Sequence, residues 1–287
     1  MEDSQATYGI IGYPVSHSLS PLMHNAAFKA LKVDASYKLF PLREEELDSF
    51  FAKLKEKASP IFGLNVTVPY KERVVKYIDN LSPLAQKIMA VNTIVITPER
   101  SIIGYNTDAP GFMAHLTELK FNFADKRIAI LGAGGSARAI LATLCLIPER
   151  PQSIKIYNRT GSRTEVLLND LGERIDMSMV EPVSSVEDLN VELADLLINT
   201  TSLGLKDDDD SLIEAEMFHP DLLVYDLIYN PKETKLLKMA KRKGAKVANG
   251  LGMLYYQGIL SFQHWANMEL DQKIKKKMRD AIEKAVI

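Results

Sequence analysis

The chain has 287 residues, of which 46% are hydrophobic and 25% are charged, and its formal net charge is −2. This length and composition are ordinary for a globular protein with one large domain or two average ones. The nearly balanced charges argue against nucleic acid as a partner.

The first residues, Met1–Gln5, are acidic and polar, and no apolar run of about 18 residues follows them. We therefore expect neither a signal peptide nor a membrane span. The single cysteine, Cys145, excludes an intramolecular disulfide, fits a reducing compartment and is expected to be a small core residue. We expect a cytoplasmic protein without a metal site, in which the acidic run Asp207–Asp210 is a surface loop.

Up to residue 108, short β-rich runs alternate with amphipathic helices. Strands are predicted over 8–12, 36–41 and 61–68, helices over 21–31, 44–57 and the stretch to 90, and a hairpin or a pair of strands over 91–97 and 101–105. This part of the chain therefore predicts one α/β unit with a sheet of its own.

A second unit is predicted from about residue 109 to 247. Its candidate strands are 127–132, 153–157, 175–180, 195–199, 222–226 and 245–248, with helices between most of them. Because strand–helix–strand connections are right-handed, this pattern predicts a mostly parallel, doubly wound sheet of the Rossmann type. The tail, 251–287, contains no further strand and is predicted to form two helices.

The predicted fold is therefore α/β with two domains, 1–108 and 109–247, and segment 248–287 returns to the first domain. A cleft between two such domains is expected, and a cleft of that kind is a preferred place for a small ligand.

A glycine-rich turn, Gly132-Ala-Gly-Gly-Ser-Ala137, follows the first strand of the second unit. Gly132 permits the tight turn, Gly134 lets the backbone approach a pyrophosphate, and Ala137 still permits close packing of helix on strand. The next helix begins there, with free N–H groups and the positive end of its dipole directed at the anion. Many glycine turns bind nothing, but the strands on both sides favour a dinucleotide site.

The second strand of this unit ends at Asn158-Arg-Thr160, and Arg163 follows one turn later. Enzymes that use NAD carry a carboxylate at this position for the ribose hydroxyls. Arg159 and Arg163 would instead hold a 2′-phosphate, which a carboxylate would repel. The sequence therefore predicts NADP as the cofactor.

Four further stretches are polar where a strand or a helix end does not require it. In the first, the run Ser16-His-Ser18 comes just before Ser20-Pro21. Serine is a good helix cap and proline suits the first turn, so capping explains Ser20 about as well as ligand binding does. Capping does not explain the run before it, and clustered hydroxyls suit a polyhydroxylated ligand.

The second stretch is Asn65-Val-Thr-Val-Pro-Tyr-Lys71. Alternation places Asn65 and Thr67 on one face of a strand that Pro69 ends, so Lys71 lies near its carboxyl end. A lysine at such a place is usually just solvated. Two polar side chains directed to the same side favour a functional lysine here.

The third and fourth stretches supply further polar groups. The third stretch is Ala90-Val-Asn-Thr-Ile94 with the nearby Gly104-Tyr-Asn-Thr-Asp108. Asn92 and Thr107 are residue types common in turns and caps, and Asp108 could simply cap the next helix. A carboxylate near Lys71 would keep the ammonium charged and could share proton transfer with it. In the fourth stretch, 249–257, the glycines permit close backbone approach, and Gln257 is as compatible with a structural role as with ligand binding.

In this order, the motifs resemble the shikimate dehydrogenase family, whose members interconvert 3-dehydroshikimate and shikimate with NADP(H). The match runs from Tyr8 to about Trp265. Its motifs are His17-Ser-Leu-Ser-Pro21, Asn65–Lys71, Ala90-Val-Asn92, Asn106-Thr-Asp108, Gly132-Ala-Gly-Gly135, Asn158-Arg-Thr160, Asn199-Thr-Thr-Ser202 and Gly252-Met-Leu254 with Gln257.

The resemblance implies the roles of particular residues. Lys71 and Asp108 would be the catalytic pair. Substrate would be bound by Ser18, Ser20, Asn65, Thr67, Lys71, Asn92, Asp108, Tyr229 and Gln257. NADP would be bound by Gly132, Ala133, Gly134, Gly135, Ser136, Ala137, Asn158, Arg159, Thr160, Arg163, Thr200, Thr201, Ser202, Ile228, Gly250 and Met253.

The resemblance also implies that the first domain binds substrate, that the second binds NADP, and that the reaction serves aromatic amino-acid biosynthesis through chorismate. We expect a monomer or a homodimer with a small-molecule substrate and neither nucleic acid nor membrane as a partner. One alternative is a quinate or dual quinate/shikimate dehydrogenase, but serine at both 18 and 20 favours shikimate, because quinate carries an extra ring hydroxyl. Another is a ligand sensor without catalysis, against which Lys71, Asp108 and the phosphate turn argue.

Overall fold

The computed structural model describes residues 5–206 and 208–286, which form two compact units. One unit runs to Gly111 and takes in Leu254–Ala285, and the other spans Phe112–Met253. The predicted domain boundaries, after residues 108 and 247, fall a few residues before these divisions. Within the described ranges, no helix combines the length and the apolar composition that a membrane span requires; the predicted cytoplasmic location stays a prediction.

The elements follow one another in this order along the chain. As far as the fourth helix they are β1 (Ala6–Gly12), α1 (Ser20–Leu31), β2 (Ala35–Pro41), α2 (Leu47–Leu54), β3 (Ile61–Val66), β4 (Asn80–Leu81), α3 (Pro83–Ile88), β5 (Thr93–Ile96), β6 (Ile102–Tyr105) and α4 (Asp108–Glu118). They continue with β7 (Arg127–Leu131), α5 (Gly135–Leu146), β8 (Ser153–Tyr157), α6 (Gly161–Gly172), β9 (Val180–Pro182), β10 (Leu196–Asn199), β11 (Leu223–Asp226), α7 (Lys235–Arg242), β12 (Lys246–Asn249), α8 (Leu251–Ala266) and α9 (Gln272–Glu283).

The sheet of the first unit has the order β2-β1-β3-β5-β6-β4. β1 is parallel to both of its neighbours, whereas β5 is antiparallel to β3 and to β6. The predicted pairing of 91–97 with 101–105 is thereby confirmed. The strand predicted over 61–68 ends earlier, at Val66.

The start of α1 differs from the expectation that Ser20 caps it. Ser20 is the first helical residue and its side chain makes no capping bond. The hydroxyl of Ser18 accepts a hydrogen bond from the Ser20 backbone N–H at 3.3 Å. Of the two alternatives for Ser20, capping is therefore excluded, and ligand binding stays a prediction.

Two glycines allow α8 to pack closely on the first unit. A Cβ atom on Gly258 would lie 2.0 Å from Cε of Met23 on α1, and one on Gly63 of β3 would lie 2.4 Å from the indole of Trp265. Neither place has room for a side chain. The close approach brings Gln257 and Ser261 of α8 against the polar residues of the sheet. The two predicted C-terminal helices are both present, and α9 packs on α1.

The sheet of the second unit has the order β12-β11-β10-β7-β8-β9, and all of its pairings are parallel. This confirms the predicted doubly wound sheet, since the strand order reverses at β7 as in dinucleotide-binding folds. The central strands β7, β10 and β11 are buried along almost their whole length, as expected where helices cover both sides of a parallel sheet.

The strand predicted over 175–180 is wrong, because β9 covers Val180–Pro182. Ile175 belongs instead to the turn that follows α6: its N–H donates to the carbonyl of Leu171 at 2.9 Å and its side chain is buried. A single apolar residue that packs at a helix end can be mistaken for the start of a strand. The chain enters the sheet only at Val180.

Cys145 lies in the core of the second unit, as predicted, and burial raises the pKa of its thiol to about 11. Asp207 lies outside the described residues. Its neighbours Asp208 and Asp210 are exposed, as expected for a surface loop.

His24 of α1 is fully buried among aromatic rings in the first unit. Its ring stacks on Tyr37 with centroids 4.5 Å apart and lies 4.9 Å from the ring of Trp265. Burial lowers the pKa of His24 to about 3. The imidazole therefore stays neutral in the folded chain at any pH above that value.

We expect His24 to make the protein less stable in acid. The unfolded chain binds a proton at this histidine below about pH 6.5, and the folded chain does not until about pH 3. Stability should therefore fall as the pH drops below 6.5, by about 1.4 kcal/mol per pH unit from this residue. Urea unfolding followed by the fluorescence of Trp265, the one tryptophan of the chain, measures the effect.

His24→Phe should remove this contribution, so its stability relative to the wild type should rise by about 2 kcal/mol between pH 6.5 and 5. The buried carboxyl of Asp226 acts with the opposite sign, since its pKa is raised to about 6, but it is present in both proteins. His17→Gln, a change at an exposed histidine, is the control. An identical pH dependence in His24→Phe and the wild type would contradict the assignment.

Candidate active site

A buried ion pair joins Lys71 and Asp108 in the first unit. Nζ of Lys71 lies 2.7 Å from Oδ2 of Asp108, and the two residues are 8% and 5% exposed. Lys71 follows β3 after a short turn, and its carbonyl accepts a hydrogen bond from the N–H of Val91 at 2.7 Å. Asp108 is the first residue of α4. The structure therefore brings together the two residues of the expected catalytic pair.

Asp108 does not cap α4. The cap is Asn106, whose side-chain oxygen accepts a hydrogen bond from the N–H of Ala109 at 3.1 Å. With that N–H satisfied by its neighbour, the carboxylate of Asp108 is directed to Lys71. The capping role that the sequence allows for Asp108 is therefore taken by Asn106.

Burying this pair of charges costs free energy, and packing of the unit does not require charged residues there. Removing two charges from water costs several kcal/mol per ion, which their attraction only partly offsets. Apolar side chains of similar size would be as stable or more stable at such a place. An ammonium fixed beside a carboxylate is, however, a proton donor of defined position.

A network of buried polar side chains lies beside the pair. Its hub is the hydroxyl of Ser261, which is 3.0 Å from Nδ2 of Asn65, 2.7 Å from Oγ1 of Thr93 and 3.1 Å from Oγ1 of Thr107. The same hydroxyl donates to the carbonyl of Gln257 at 2.8 Å. The network links β3, β5, α8 and the residue before Asp108.

Asn92 is held from two sides within this network. Its Oδ1 accepts from the N–H of Thr107 at 2.6 Å, and its Nδ2 donates to Oγ1 of Thr107 at 2.9 Å and to Oε1 of Gln257 at 3.4 Å. Gly111 permits this arrangement, because a Cβ there would lie 2.7 Å from the backbone nitrogen of Gln257. Asn92, Gln257 and Asp108 are therefore placed by one set of contacts.

The remaining predicted substrate residues of this unit follow β1 and β3. Ser18 and Thr67 are partly exposed, and Ser20 is buried. Two backbone hydrogen bonds join these segments. The N–H of Thr67 donates to the carbonyl of Ile11, and the N–H of Tyr13 donates to the carbonyl of Val68. Tyr229, by contrast, lies in the second unit, after β11.

In the second unit, the glycine turn has the geometry of a phosphate site. Gly132 has a φ of +105°, and a Cβ there would lie 2.4 Å from Oγ1 of Thr200. At Gly134 a Cβ would meet nothing within 4 Å, so one face of this backbone is open. No side chain caps α5, which leaves the N–H groups of its first turn to an anion. Ala133, Gly135 and Ser136 belong to this turn, and Ala137 is buried behind it.

Two arginines mark the end of the next strand. Arg159 and Arg163 are exposed, and no ion pair joins either of them to a described residue. Asn158 donates from Nδ2 to the carbonyl of Thr160 at 2.8 Å, which shapes the turn into α6. Free guanidinium groups at this edge fit a phosphate on an adenosine ribose.

The other predicted cofactor residues follow the neighbouring strands. They are Thr200, Thr201 and Ser202 after β10, Ile228 after β11, Gly250 after β12, and Met253 in the first turn of α8. Because β7, β8, β10, β11 and β12 are parallel, the residues that follow them share one edge of the sheet. Ligands bind at this edge in open parallel sheets.

Sequence reasoning missed several members of these sites. Ser261 lies one helical turn after Gln257, and Thr93 follows Asn92, so helical spacing and adjacency were available as signals. Tyr37, whose hydroxyl donates to Oδ1 of Asn65 at 2.7 Å, gave no signal in the sequence. Asp226 did give a signal, because it is an acidic residue at the end of an apolar strand.

Comparisons with known proteins identify the family of this chain. Residues 10–94 match the family model of the shikimate dehydrogenase substrate binding domain. The NADP(+) shikimate dehydrogenase of Methanocaldococcus jannaschii is 41% identical over 271 residues, which cover 93% of this chain and 94% of that protein.

Two solved structures have a similar fold over 98% of this chain. One is the shikimate 5-dehydrogenase of Thermus thermophilus in complex with NADP(H) and shikimate, with a TM-score of 0.82, 34% identity and coverage of 98% of this chain and 100% of that one. The other is the quinate dehydrogenase of Corynebacterium glutamicum in complex with NAD, with a TM-score of 0.86, 26% identity and coverage of 98% and 99%. This chain belongs to the shikimate dehydrogenase family.

Proposed function

We propose that this protein catalyses the reversible, NADP-dependent reduction of 3-dehydroshikimate to shikimate, a step of aromatic amino-acid biosynthesis. The observation that carries the proposal is the buried Lys71–Asp108 pair, with Nζ and Oδ2 2.7 Å apart. It lies in the unit that matches the substrate-binding domain of the family. Reduction of a ring ketone requires a proton donor of this kind.

We propose that the first unit binds the substrate and the second binds NADP. The substrate residues would be Ser18, Ser20, Asn65, Thr67, Lys71, Asn92, Asp108, Tyr229 and Gln257. The cofactor residues would be Gly132, Ala133, Gly134, Gly135, Ser136, Ala137, Asn158, Arg159, Thr160, Arg163, Thr200, Thr201, Ser202, Ile228, Gly250 and Met253. Their support is the polar network in the first sheet and the open glycine turn with its two arginines in the second.

Lys71 handles the proton in this mechanism. When bound, NADPH supplies a hydride to the carbon of the ketone. The ammonium of Lys71 donates a hydrogen bond to the ketone oxygen and transfers a proton from Nζ as the alkoxide develops. In the direction of oxidation, the neutral amine takes the proton of the hydroxyl. Asp108 holds Nζ in place, and acid–base assistance of this type increases rates by about 10²–10⁴-fold.

A steady-state matrix of shikimate and quinate against NADP and NAD tests the proposed function. We expect shikimate with NADP to increase the absorbance of reduced nicotinamide. Its kcat/KM should be at least about tenfold higher than that of any other substrate–cofactor pair. The family includes a quinate dehydrogenase with NAD bound, so quinate and NAD are the relevant competitors.

The other outcomes of the matrix are informative. No absorbance change with any pair would reject the proposal and would favour the alternative of a ligand sensor without catalysis. Faster turnover of quinate than of shikimate would reject the assignment of substrate.

Arg159→Ala should weaken NADP binding by about 10- to 100-fold and leave NAD binding within about twofold of the wild type. The reason is that the lost interaction is a charge-assisted hydrogen bond to the 2′-phosphate, which NAD lacks. Isothermal titration of each nucleotide measures the effect. Arg174→Ala, just after α6, is the matched control, because Arg174 is already paired with Asp170. Equal weakening of NADP and NAD binding would contradict the proposed contact between Arg159 and the 2′-phosphate.

A further inference from the structure

Asp226, the last residue of β11, is a buried carboxylate that the mechanism above does not use. Its exposure is 0%, and no ion pair joins it to any residue in the described ranges. Burial raises the pKa of its carboxyl to about 6. A carboxylate placed without a cation in the interior is costly, and groups of this type cluster at functional sites.

Hydrogen bonds converge on both oxygens of this carboxylate. Oδ1 accepts from Nδ2 of Asn199 at 3.0 Å and from the N–H of Ile228 at 3.1 Å. Oδ2 accepts from Oγ1 of Thr234 at 2.6 Å. A carboxylate can accept at both oxygens, whereas an asparagine offers one acceptor and one donor group.

The partners of Asp226 shape the loop after β10. The Oδ1 atom of Asn199 accepts from the N–H of Thr201 at 3.1 Å and from its hydroxyl at 2.7 Å. The Thr201 hydroxyl in turn accepts from the N–H of Leu203 at 3.1 Å. The conformation of this loop therefore depends on the amide that Asp226 orients.

The loops after β11 and β12 depend on the same carboxylate. Thr234 caps α7 and ends the loop after β11, while the carbonyl of Ile228 accepts from the N–H of Gly250 at 3.2 Å. A Cβ on Gly250 would lie 1.9 Å from the carbonyl oxygen of Leu227, so these two loops are in direct backbone contact.

We propose that Asp226 is a positioning residue for the nicotinamide half of the cofactor, fixing the three loops that follow β10, β11 and β12. This inference rests on the proposed function, in which Thr200–Ser202, Ile228 and Gly250 border the nicotinamide. The glycine turn and the arginines that would bind the adenosine half follow β7 and β8, and Asp226 makes no hydrogen bond to them. The two halves of the cofactor should therefore respond differently to a change at Asp226.

The test compares NADP with 2′,5′-ADP, which carries the adenosine and the 2′-phosphate but no nicotinamide. Asp226→Asn should raise the Kd for NADP by about tenfold, since one hydrogen bond to a charged group is lost. The Kd for 2′,5′-ADP should stay within about twofold. Asp226→Leu should weaken NADP further, and Thr234→Val should act in the same direction if the leucine variant does not fold.

Asp195→Asn is the matched control. Asp195 precedes β10 at the opposite end of the sheet, where it accepts from the N–H of Arg127 at 2.9 Å and pairs with Lys126 at 3.0 Å. Its loss should lower the melting temperature but leave both dissociation constants within about twofold.

Two results would overturn the proposal. Unchanged NADP binding in the folded Asp226 variants would reduce this residue to a structural role, and equal weakening of NADP and 2′,5′-ADP would indicate general damage to the unit. Both are binding measurements, so they are separate from the turnover of shikimate by the wild type, on which the proposed function stands or falls.

Discussion

The proposed chemistry depends on one interaction, the ion pair of Lys71 and Asp108 in the interior of the first unit. Neither charge is needed for packing, and burial makes each of them costly. The surrounding residues hold the pair in place: Asn106 caps α4 so that Asp108 does not, and a backbone hydrogen bond from Val91 fixes the turn at Lys71. We propose that the pair is kept in spite of this cost because the reaction needs a proton donor at a fixed position.

Each unit supplies one part of the proposed chemistry, and in each the fold places the functional groups in its own way. In the first, the Ser261 hydroxyl joins two strands and a helix, so several polar side chains take one arrangement together. In the second, parallel strands end at a common edge, and the residues after them meet there. The buried carboxylate of Asp226 connects the segments after β10 and β11 by hydrogen bonds, as the hydroxyl of Ser261 connects polar side chains of the first unit.

Much of this could be predicted from the sequence, because local signals were strong where the backbone has few options. The glycine turn at Gly132 and the doubly wound sheet are examples, whereas the pairing of Lys71 with Asp108 was implied by the family resemblance. The sequence leaves capping and ligand binding equally open for Ser20, and the structure excludes capping, since the hydroxyl of Ser18 accepts the hydrogen bond there. The strand over 175–180 was wrong, because Ile175 closes a helix. Hubs such as Ser261 depend on contacts between residues far apart in the chain, which periodicity does not reveal.

The most direct test of the central claim is the turnover and substrate affinity of Lys71→Ala with shikimate and NADP. We expect kcat to fall by at least about 100-fold while shikimate still binds, because acid–base assistance is lost and the polar network remains. Lys71→Met, which keeps the length of the side chain, and Lys76→Ala, at an exposed lysine, complete the comparison. Near-normal kcat in a folded Lys71→Ala protein would contradict the account.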